Sequence, residues 1–387
     1  MSQTSEVRAR AQLKDARTIV VKIGSSLLTD PRDGLARGVI ERLGTEVAAL
    51  LDAGKRVLLV SSGAVVEGIA RLGLSRRPET MHELQAAAAV GQMGLIEAWE
   101  QAFSRADRHT ALVLLTHDDL ADRQRYLNAR ATLATLLDVG VVPVINENDS
   151  VATDEIRFGD NDTLAALVTN LLQAELLVVL TDIDGLLSVD PRRGGDGSAA
   201  GELISCAAAS DTRLDAMVGD SGAFGRGGMI TKLQAARLAA RSGANTVLAG
   251  GRTEGALQSI LAGESVGTLL TADLSPLDAR KRWIAGQLKA AGELRVDAGA
   301  ARALVSKGVS LLPVGVTAVS GEFSRGDLVR CLDADGQLLA QGLSNYSSKD
   351  TQQLLGVDSR EISARLGFCH EPELIHRDNL VVLVDAG

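Results

Sequence analysis

Six short aliphatic runs, separated by long Ala- and Leu-rich segments, limit the folds open to this chain. The runs are TIVVKIG (18–24), RVLLVSSGA (56–64), TALVLLT (110–116), VVPVIN (141–146), LLVVLTD (176–182) and NTVLAG (245–250). Continuous apolar strands alternating with helices are typical of a parallel sheet covered on both faces. With right-handed crossovers, the default architecture is an αβα sandwich. We therefore predict an α/β domain, an αβα sandwich around a mostly parallel central sheet, over residues 1–275.

The pattern changes after residue 275, where the expected strands become short and are interrupted by glycines. DADG at 333–336 lies between alternating apolar residues and predicts a hairpin turn. The polar segment SPLDARKRW, beginning at Ser275, is interpreted as a connector. We therefore predict a separate, small, mostly-β domain over residues 276–387, within the usual range of domain sizes.

Composition excludes several classes of protein. The net charge of −9 gives no general attraction to nucleic acids or anionic membranes. The cysteines Cys206, Cys331 and Cys369 are far apart and form no CxxC pair, which indicates neither a disulfide framework nor a zinc site. The polar N-terminus lacks an apolar signal core, and no apolar run reaches the roughly 18 residues of a membrane span. We expect a cytoplasmic protein with no membrane partner.

Polar clusters follow four of the predicted strands. They are IGSS (23–26), SSGA (61–64), INEND (145–149) and LTDIDG (180–185). Loops after strands are ordinarily rich in Gly, Asn and Asp, so one such cluster alone would indicate little. In open α/β sheets, however, ligands bind beyond the carboxyl ends of the strands. Four polar clusters at one rim therefore predict a binding site there.

Two lysines lie in loops suited to binding phosphate. Lys22 precedes Gly24-Ser25-Ser26, whose N–H groups and hydroxyls can surround an anion at a helix start. In SGAFGRGGMITKLQAA (221–236), four glycines allow close backbone approach, and Lys232 falls in the first turn of the next helix. This segment matches neither GxxxxGK[ST] nor GxGxxG. We predict phosphoryl transfer, with Mg²⁺ bridging the nucleotide phosphates.

The stretch NENDSVATDEIRFGDND (146–162) has six carboxylates and a single base. A calcium loop is excluded, because DNDTLA lacks Gly at position six and Glu at position twelve. A solvated loop accounts for Asp154 and Glu155, and Asp162 can act as an N-terminal partner of the apolar helix that follows. The remaining interpretation is that Asp149 binds a ligand's ammonium group, with Asn161 and Asp162 ordering nearby groups.

These motifs together resemble a known family. VVKIGSSLLTD, VSSGAV, LLTHDDLADRQRYLNAR, VVPVINENDSVATDEIRFGDND, LLTDIDGLLSVDPR and GRGGMITKLQAA, in this order, closely resemble the glutamate 5-kinase branch of the amino acid kinase family. INEND followed by GDND is highly specific. The resemblance covers residues 17–275, and the tail resembles the PUA domain fused to many bacterial members.

This resemblance implies the family's sandwich fold and the ATP-dependent phosphorylation of the γ-carboxylate of L-glutamate, the first step of proline synthesis. It also implies dependence on Mg²⁺, a homo-oligomer (dimer or tetramer), feedback inhibition by proline and a glutamyl phosphate reductase that takes up the product.

The resemblance also implies roles for individual residues. Lys22 and Lys232 would stabilise the transferring phosphoryl group, while Asp162 would hold the two lysines in place. The residues that would bind glutamate are Ser62, Asp149 and Asn161. The residues that would bind ATP are Lys22, Gly24, Thr181, Asp182, Arg226, Gly227, Gly228, Met229, Ile230, Thr231 and Lys232. No residue is assigned to a metal.

Three positions depart from the family pattern. Ser25 replaces a common Thr, which keeps the hydroxyl. Arg226 stands where Thr is frequent, which removes or replaces a hydroxyl contact to the nucleotide. Arg157 stands where Lys is frequent, and the two side chains differ in geometry.

The proposed chemistry explains the lack of a candidate general base. The nucleophile would be a carboxylate with a pKa of ~4.3, already ionised at neutral pH. The five histidines are scattered along the sequence and are interpreted as structural or surface residues. The main barrier is the approach of two anions, so Lys22, Lys232 and Mg²⁺ must screen them. The acidic loop would grip the amino group and turn the distal carboxylate of glutamate toward ATP.

Two rival hypotheses remain. PUA domains elsewhere bind RNA, but residues 276–387 carry 13 Lys and Arg against 14 Asp and Glu, a net charge of −1. Without a basic stripe or stacking platform, nucleic-acid binding is not expected, and a regulatory or assembly role is favoured. The other rival is a sibling kinase acting on aspartate, N-acetylglutamate or UMP. Asp149 disfavours an acetylated amine, because a carboxylate gains little from facing a neutral amide.

Overall fold

The computed structural model describes residues 3–30, 34–151, 161–189, 201–218, 228–286, 290–369 and 371–384. The chain divides into two compact units, a first unit of Met1–Pro276 and a second unit of Leu277–Gly387. The strands are β1 Thr18–Ile23, β2 Thr29–Asp30, β3 Gly34–Leu35, β4 Arg56–Ser61, β5 Thr110–Leu115, β6 Val142–Glu147, β7 Leu176–Thr181, β8 Cys206–Ala208, β9 Asn245–Gly250, β10 Thr268–Thr271, β11 Gly292–Val296, β12 Val316–Gly321, β13 Leu328–Leu332, β14 Leu338–Leu343 and β15 Leu380–Val382.

The α-helices are α1 Gln3–Ala11, α2 Ser25–Leu28, α3 Arg37–Asp52, α4 Ala64–Arg71, α5 Met81–Ser104, α6 His117–Ala121, α7 Arg123–Asp138, α8 Asn161–Leu172, α9 Met229–Arg241, α10 Ala256–Leu261, α11 Pro276–Gly286, α12 Ala298–Lys307, α13 Ser348–Gln353 and α14 Ile362–Leu366. Within the described ranges, no helix is both long enough and apolar enough to traverse a bilayer.

The main sheet of the first unit contains eight strands in the described residues, in the order β5-β6-β4-β1-β7-β9-β10-β8. The six strands from β5 to β9 in this order pair in parallel. At the other edge, β10 pairs antiparallel with β9 and parallel with β8. Every residue of β1, β6 and β7 is buried, as expected for strands covered on both faces. The predicted mostly parallel sheet is confirmed; the two reversed edge strands were not predicted.

Two hydrophobic cores cover the two faces of this sheet. Val21 and Ile23 belong to the core that includes side chains of α3 and α5, whereas Val20 belongs to the core that includes α7, α8 and α9. The alternation follows from the two-residue period of a strand. Helical layers on both faces confirm the predicted αβα sandwich.

The strand order reverses beside β1, which lies between β4 and β7. In the register of the sheet, Ile23 pairs with Ser61 on β4 and with Leu180 on β7. The loops that begin at Gly24, Ser62 and Asp182 therefore leave the sheet at one rim. Such a reversal opens a crevice at the carboxyl ends of the strands, the usual ligand site of open α/β sheets.

The second unit is built on a five-stranded sheet in the order β12-β11-β13-β14-β15, as seen in the described residues. Strands β13 and β14 pair antiparallel, which confirms the hairpin predicted at 333–336. The carboxylate of Asp333 accepts hydrogen bonds from the N–H groups of Asp335 (3.0 Å) and Gln337 (2.8 Å), and Gly336 has φ +85°. Much of the segment interpreted as a connector, SPLDARKRW, forms helix α11.

Candidate active site

A buried cluster of charges lies where β1 ends and helices α8 and α9 begin. Asp162 Oδ1 lies 2.5 Å from Lys22 Nζ, and Asp162 Oδ2 lies 3.2 Å from Lys232 Nζ. The Thr231 hydroxyl lies 2.7 Å from Asp162 Oδ2 and 2.8 Å from the carbonyl oxygen of Gly228. Lys22, Asp162 and Lys232 are only 5%, 2% and 6% exposed. A charge cluster buried so deeply is weak as a stabilising device and is a candidate for function.

The local sequence explains how this cluster assembles. Lys22 follows Val20 by two residues, and Val20 faces the core that contains α8 and α9. Strand alternation therefore directs the lysine toward the first turns of these helices. Asp162 is the second residue of α8, and Lys232 is the fourth of α9.

Asp162 remains ionised in this environment. Burial raises the pKa of its carboxyl group, but the positive charges of Lys22 and Lys232 outweigh burial and lower the pKa to about 2. The carboxylate is therefore charged at neutral pH and holds both lysine side chains. Because two cations share one anion, the cluster keeps an excess of positive charge. The cluster favours an additional anion, such as a phosphoryl group.

A hydrogen-bond network surrounds Asn161, the neighbour of Asp162. Asn161 Nδ2 lies 2.8 Å from Ser62 Oγ, 3.1 Å from Asn146 Oδ1 and 3.3 Å from the carbonyl oxygen of Ser61. The Oδ1 atom of Asn161 is buried and has no hydrogen-bond partner within the described part of the chain. The N–H groups of this amide are already donated, and its oxygen can still accept. The amide therefore suits a ligand that donates a hydrogen bond from an N–H group.

Asp149 lies at the same rim, half-buried in the turn after β6. The N–H of Asn148 donates to the carbonyl of Leu115 at 2.9 Å, and the N–H of Val151 donates to the carbonyl of Asn148 at 3.1 Å. The first bond ties the turn to the end of β5, and the second closes the turn itself. The remainder of the acidic stretch, residues 152–160, lies outside the described residues.

The predicted nucleotide residues divide between three loops at this rim. Gly24 donates its N–H to the carbonyl of Leu180 at 3.1 Å, and a Cβ atom placed on Gly24 would lie 3.9 Å from Lys22 Nζ. The buried Thr181 hydroxyl lies 3.0 Å from the carboxylate of the exposed Asp182. Gly228 is the N-cap of α9, and the first residues of this helix are Met229, Ile230, Thr231 and Lys232. Arg226 and Gly227 lie outside the described residues.

Sequence reasoning missed three contacts in this region. Asn146 accepts from Asn161, Thr231 contacts Asp162, and Trp99 Nε1 donates to Ser61 Oγ at 3.0 Å. Asn146 carried a usable signal, since an amide ending a buried apolar strand must find a hydrogen-bond partner. Thr231 was expected to contact only the nucleotide.

Comparison with known proteins shows which proteins this chain resembles. Residues 17–250 match the Amino acid kinase family, and residues 292–366 match the PUA domain. The chain is 56% identical to a glutamate 5-kinase from Pseudomonas syringae pv. tomato, covering 97% of this chain and 100% of that protein. It is 56% identical to a glutamate 5-kinase from Nitrosococcus oceani, covering 97% and 99% of the two chains. These relatives span both units.

A third relative, a glutamate 5-kinase from Hahella chejuensis, is 54% identical and covers 99% of this chain and 98% of its own. Among solved structures, a UMP kinase from Bacillus anthracis matches with a TM-score of 0.45 and 16% identity, covering 67% of this chain and 97% of that one. The assignment of this chain to a family rests on the family model and the sequence relatives, and not on that structure.

Proposed function

This chain belongs to the amino acid kinase family, and we propose that it phosphorylates the γ-carboxylate of L-glutamate with ATP. In this reaction a carboxylate oxygen of glutamate forms a bond to the γ-phosphorus of ATP while the bond from that phosphorus to the ADP oxygen breaks. The products are ADP and γ-glutamyl phosphate. The choice of glutamate is supported by the names of relatives that match the chain over nearly its full length.

The observation that carries the proposal is the contact of Lys22 and Lys232 with the single carboxylate of Asp162. Phosphoryl transfer from ATP to a carboxylate brings two anions together, and its transition state carries charge on the phosphoryl oxygens. Two ammonium groups that are already oriented stabilise this charge without further reorganisation. Asp162 would act as a positioning residue and not as a base, because its low pKa makes it a poor proton acceptor.

Mg²⁺ would be held mainly by the phosphate oxygens of ATP. No group of three or more His, Cys, Asp or Glu side chains able to hold a metal occurs in the described segments. Asp162, the most deeply buried carboxylate at the rim, already contacts two lysines. This donor set fits an ion that arrives with the nucleotide. When bound, Mg²⁺ would neutralise part of the phosphate charge.

The end of glutamate that carries the amino group would bind beside Asn161, away from the lysine cluster. Ser62 and Asn161 already share a hydrogen bond, and the open Oδ1 atom of Asn161 can accept from an ammonium group. Asp149 would supply the opposite charge for that ammonium group. With the amine held here, the γ-carboxylate extends toward the lysine cluster, so binding and orientation are achieved together.

Hydroxylamine trapping of the acyl phosphate tests the proposal. The enzyme is incubated with ATP, Mg²⁺ and glutamate, aspartate or N-acetylglutamate, and ADP release is followed with UMP. We expect a hydroxamate with glutamate alone. Turnover on aspartate, N-acetylglutamate or UMP without turnover on glutamate would contradict the choice of substrate.

Several further expectations stay proposals. The product is a reactive mixed anhydride, so a glutamyl phosphate reductase that consumes it is expected, as are a homo-oligomer and inhibition by proline. A cytoplasmic location is supported by the three cysteines, none of which forms a disulfide. For the second unit we favour a regulatory or assembly role. Tight, salt-sensitive binding in a gel shift with tRNA would overturn this preference.

A further inference from the structure

Helix α5 contacts both of the strand ends that lead to the proposed glutamate site. Trp99 Nε1 donates to Ser61 Oγ at 3.0 Å, and Gln92 Nε2 donates to the carbonyl oxygen of Glu147 at 3.4 Å. Ser61 directly precedes Ser62, and Glu147 lies two residues before Asp149. A single helix therefore contacts both segments that carry proposed glutamate-binding residues, the segment of Ser62 and the segment of Asp149.

The geometry of α5 suits this task. Gln92 and Trp99 are seven residues apart, which is close to two turns, so they lie on one face of the helix. The same helix packs in backbone contact with α4. A Cβ atom on Gly91 would lie 1.8 Å from the carbonyl oxygen of Ala64, and one on Gly68 would lie 1.7 Å from that of Ala87. Because α4 begins at Ala64, this contact fixes the end of the Ser62 loop as well.

Gln92 is a poor choice if packing were its only role. The residue is 6% exposed, and its Oε1 atom is buried without a hydrogen-bond partner among the residues described. A methionine would fill nearly the same space without leaving a buried acceptor unsatisfied. The amide therefore carries a stability cost that an apolar side chain would not, and what it adds is the bond to Glu147.

We propose that Gln92 and Trp99 are positioning residues for the amino-acid substrate. Gln92 would fix the carbonyl of Glu147 and through it the turn that carries Asp149. Trp99 would fix Ser61 and through it the hydroxyl of Ser62. This inference rests on the proposed function, because it assigns these segments to glutamate. The expected nucleotide residues lie on other loops, so ATP binding is expected to be independent of α5.

The first test is Gln92→Met, assayed by hydroxylamine trapping. The KM for glutamate is expected to rise about three- to tenfold, the size of one lost hydrogen bond. The KM for ATP is expected to stay level, and so is the thermal midpoint, because losing the bond to Glu147 offsets removing the unsatisfied Oε1 atom. Gln101→Met is the matched control, because Gln101 is exposed on the same helix. It is expected to change none of these values.

The second test addresses Trp99 by a double-mutant cycle. Trp99→Phe keeps a ring in the core but removes the N–H donor, and Ser61→Ala removes the acceptor. If the bond positions Ser62, each variant raises the KM for glutamate, and the double variant raises it no further than one of them. Fully additive effects would mean that the bond itself plays no part.

An unchanged KM for glutamate in Gln92→Met would overturn the inference. An equal rise in the KM values for glutamate and ATP would do the same, and so would a loss of thermal stability large enough to explain the higher KM. Failure of the proposed function looks different. In that case the unsubstituted enzyme gives no hydroxamate with glutamate, and the two α5 tests would be repeated with the acceptor that it does use.

Discussion

Two buried polar clusters, one from each unit, are held together in different ways. In the first unit, Lys22, Asp162 and Lys232 contact one another at the ends of strands and helices. In the second unit, Gln341 donates to the carbonyl of Ile284 at 2.7 Å, and the Tyr346 hydroxyl donates to a backbone carbonyl. Bonds of the second kind satisfy groups that folding buries. Buried charges that satisfy one another contribute little net stability, so another function must account for them.

The comparison therefore predicts where substitutions change chemistry and where they change only stability. The largest expected effect is that of Lys232→Met, which removes an ammonium group but keeps most of the side-chain volume. The kcat for hydroxamate formation is expected to fall by roughly 10²- to 10³-fold, as when one donor to a developing charge is lost. Folding should persist, because Lys22 and Asp162 remain a balanced pair.

The control for this variant is Lys307→Met, on an exposed face of α12 in the second unit. It should leave kcat unchanged. If Lys307→Met lowered kcat as much as Lys232→Met, or if Lys232→Met kept full kcat, the catalytic role assigned to the buried charges of the first unit would be wrong.

The next effect is on stability and comes from Asp162→Asn. At pH 7 this change leaves two buried ammonium groups without their carboxylate, which should lower the free energy of unfolding by about 3–5 kcal/mol. The pKa of Asp162 is depressed to about 2 in the folded state. Its contribution is therefore fully present above the unfolded-state pKa of ~3.9 and is lost as pH falls toward 2.

Urea unfolding of both proteins at several pH values checks this. The difference in stability should be constant near neutral pH and should narrow below about pH 4. Asp335→Asn, in the exposed hairpin turn of the second unit, should show no difference at any pH. A gap that widens on acidification would contradict the assigned ionisation.

A more selective effect is expected for Asp149→Ala. Loss of a charge-assisted bond to the ammonium group should raise the KM for glutamate about ten- to a hundredfold. ATP binding, measured by calorimetry, should change far less. The control is Asp335→Ala, with all constants unchanged. Equal weakening of both substrates would argue against an ammonium-binding role for Asp149.

Much of the fold could be predicted because each main strand is apolar along its whole length. For β1, β4 and β7 the predicted runs enclose the observed strands to within a few residues. Strands β8 and β10 were missed, since CAA and TLLT are too short to show a period. Helix α1 was also missed. Its Arg10 is 2% exposed because it donates to the carbonyls of Ser205 and Gly267, an arrangement that depends on distant backbone.

The charged residues of the candidate site could be singled out from the sequence, but its hydrogen bonds could not. Lys22, Asp162 and Lys232 stand out in the sequence because each is a charged residue beside an apolar element. The contact of Gln92 with Glu147 joins residues 55 positions apart, and nothing local marks it. Such bonds depend on which backbone groups the finished sheet leaves exposed, and a single sequence contains no signal for that.

The smallest expected effect is that of Tyr346→Phe in the second unit. This variant tests whether a buried hydrogen bond in the second unit affects stability alone. Tyr346 is fully buried; its hydroxyl donates to the carbonyl of Glu371, accepts from the N–H of Glu371 at 3.2 Å and lies 3.6 Å from Cys369 Sγ. Phenylalanine keeps the ring in the core and removes the hydroxyl with its hydrogen bonds. The second unit should lose about 1–2 kcal/mol of stability, because the hydroxyl makes two hydrogen bonds.

The kcat and both KM values of Tyr346→Phe should equal those of the unsubstituted enzyme under conditions where both are folded. Phe323→Tyr would be an unsuitable control, because it buries a new hydroxyl; Ser306→Ala, on the exposed side of α12, is better matched. If Tyr346→Phe altered the KM for glutamate as strongly as Asp149→Ala, then the interior of the second unit would be energetically coupled to the chemistry. The bonds between Tyr346 and Glu371 could then no longer be interpreted as purely structural, and regulation through this unit would become the simpler explanation.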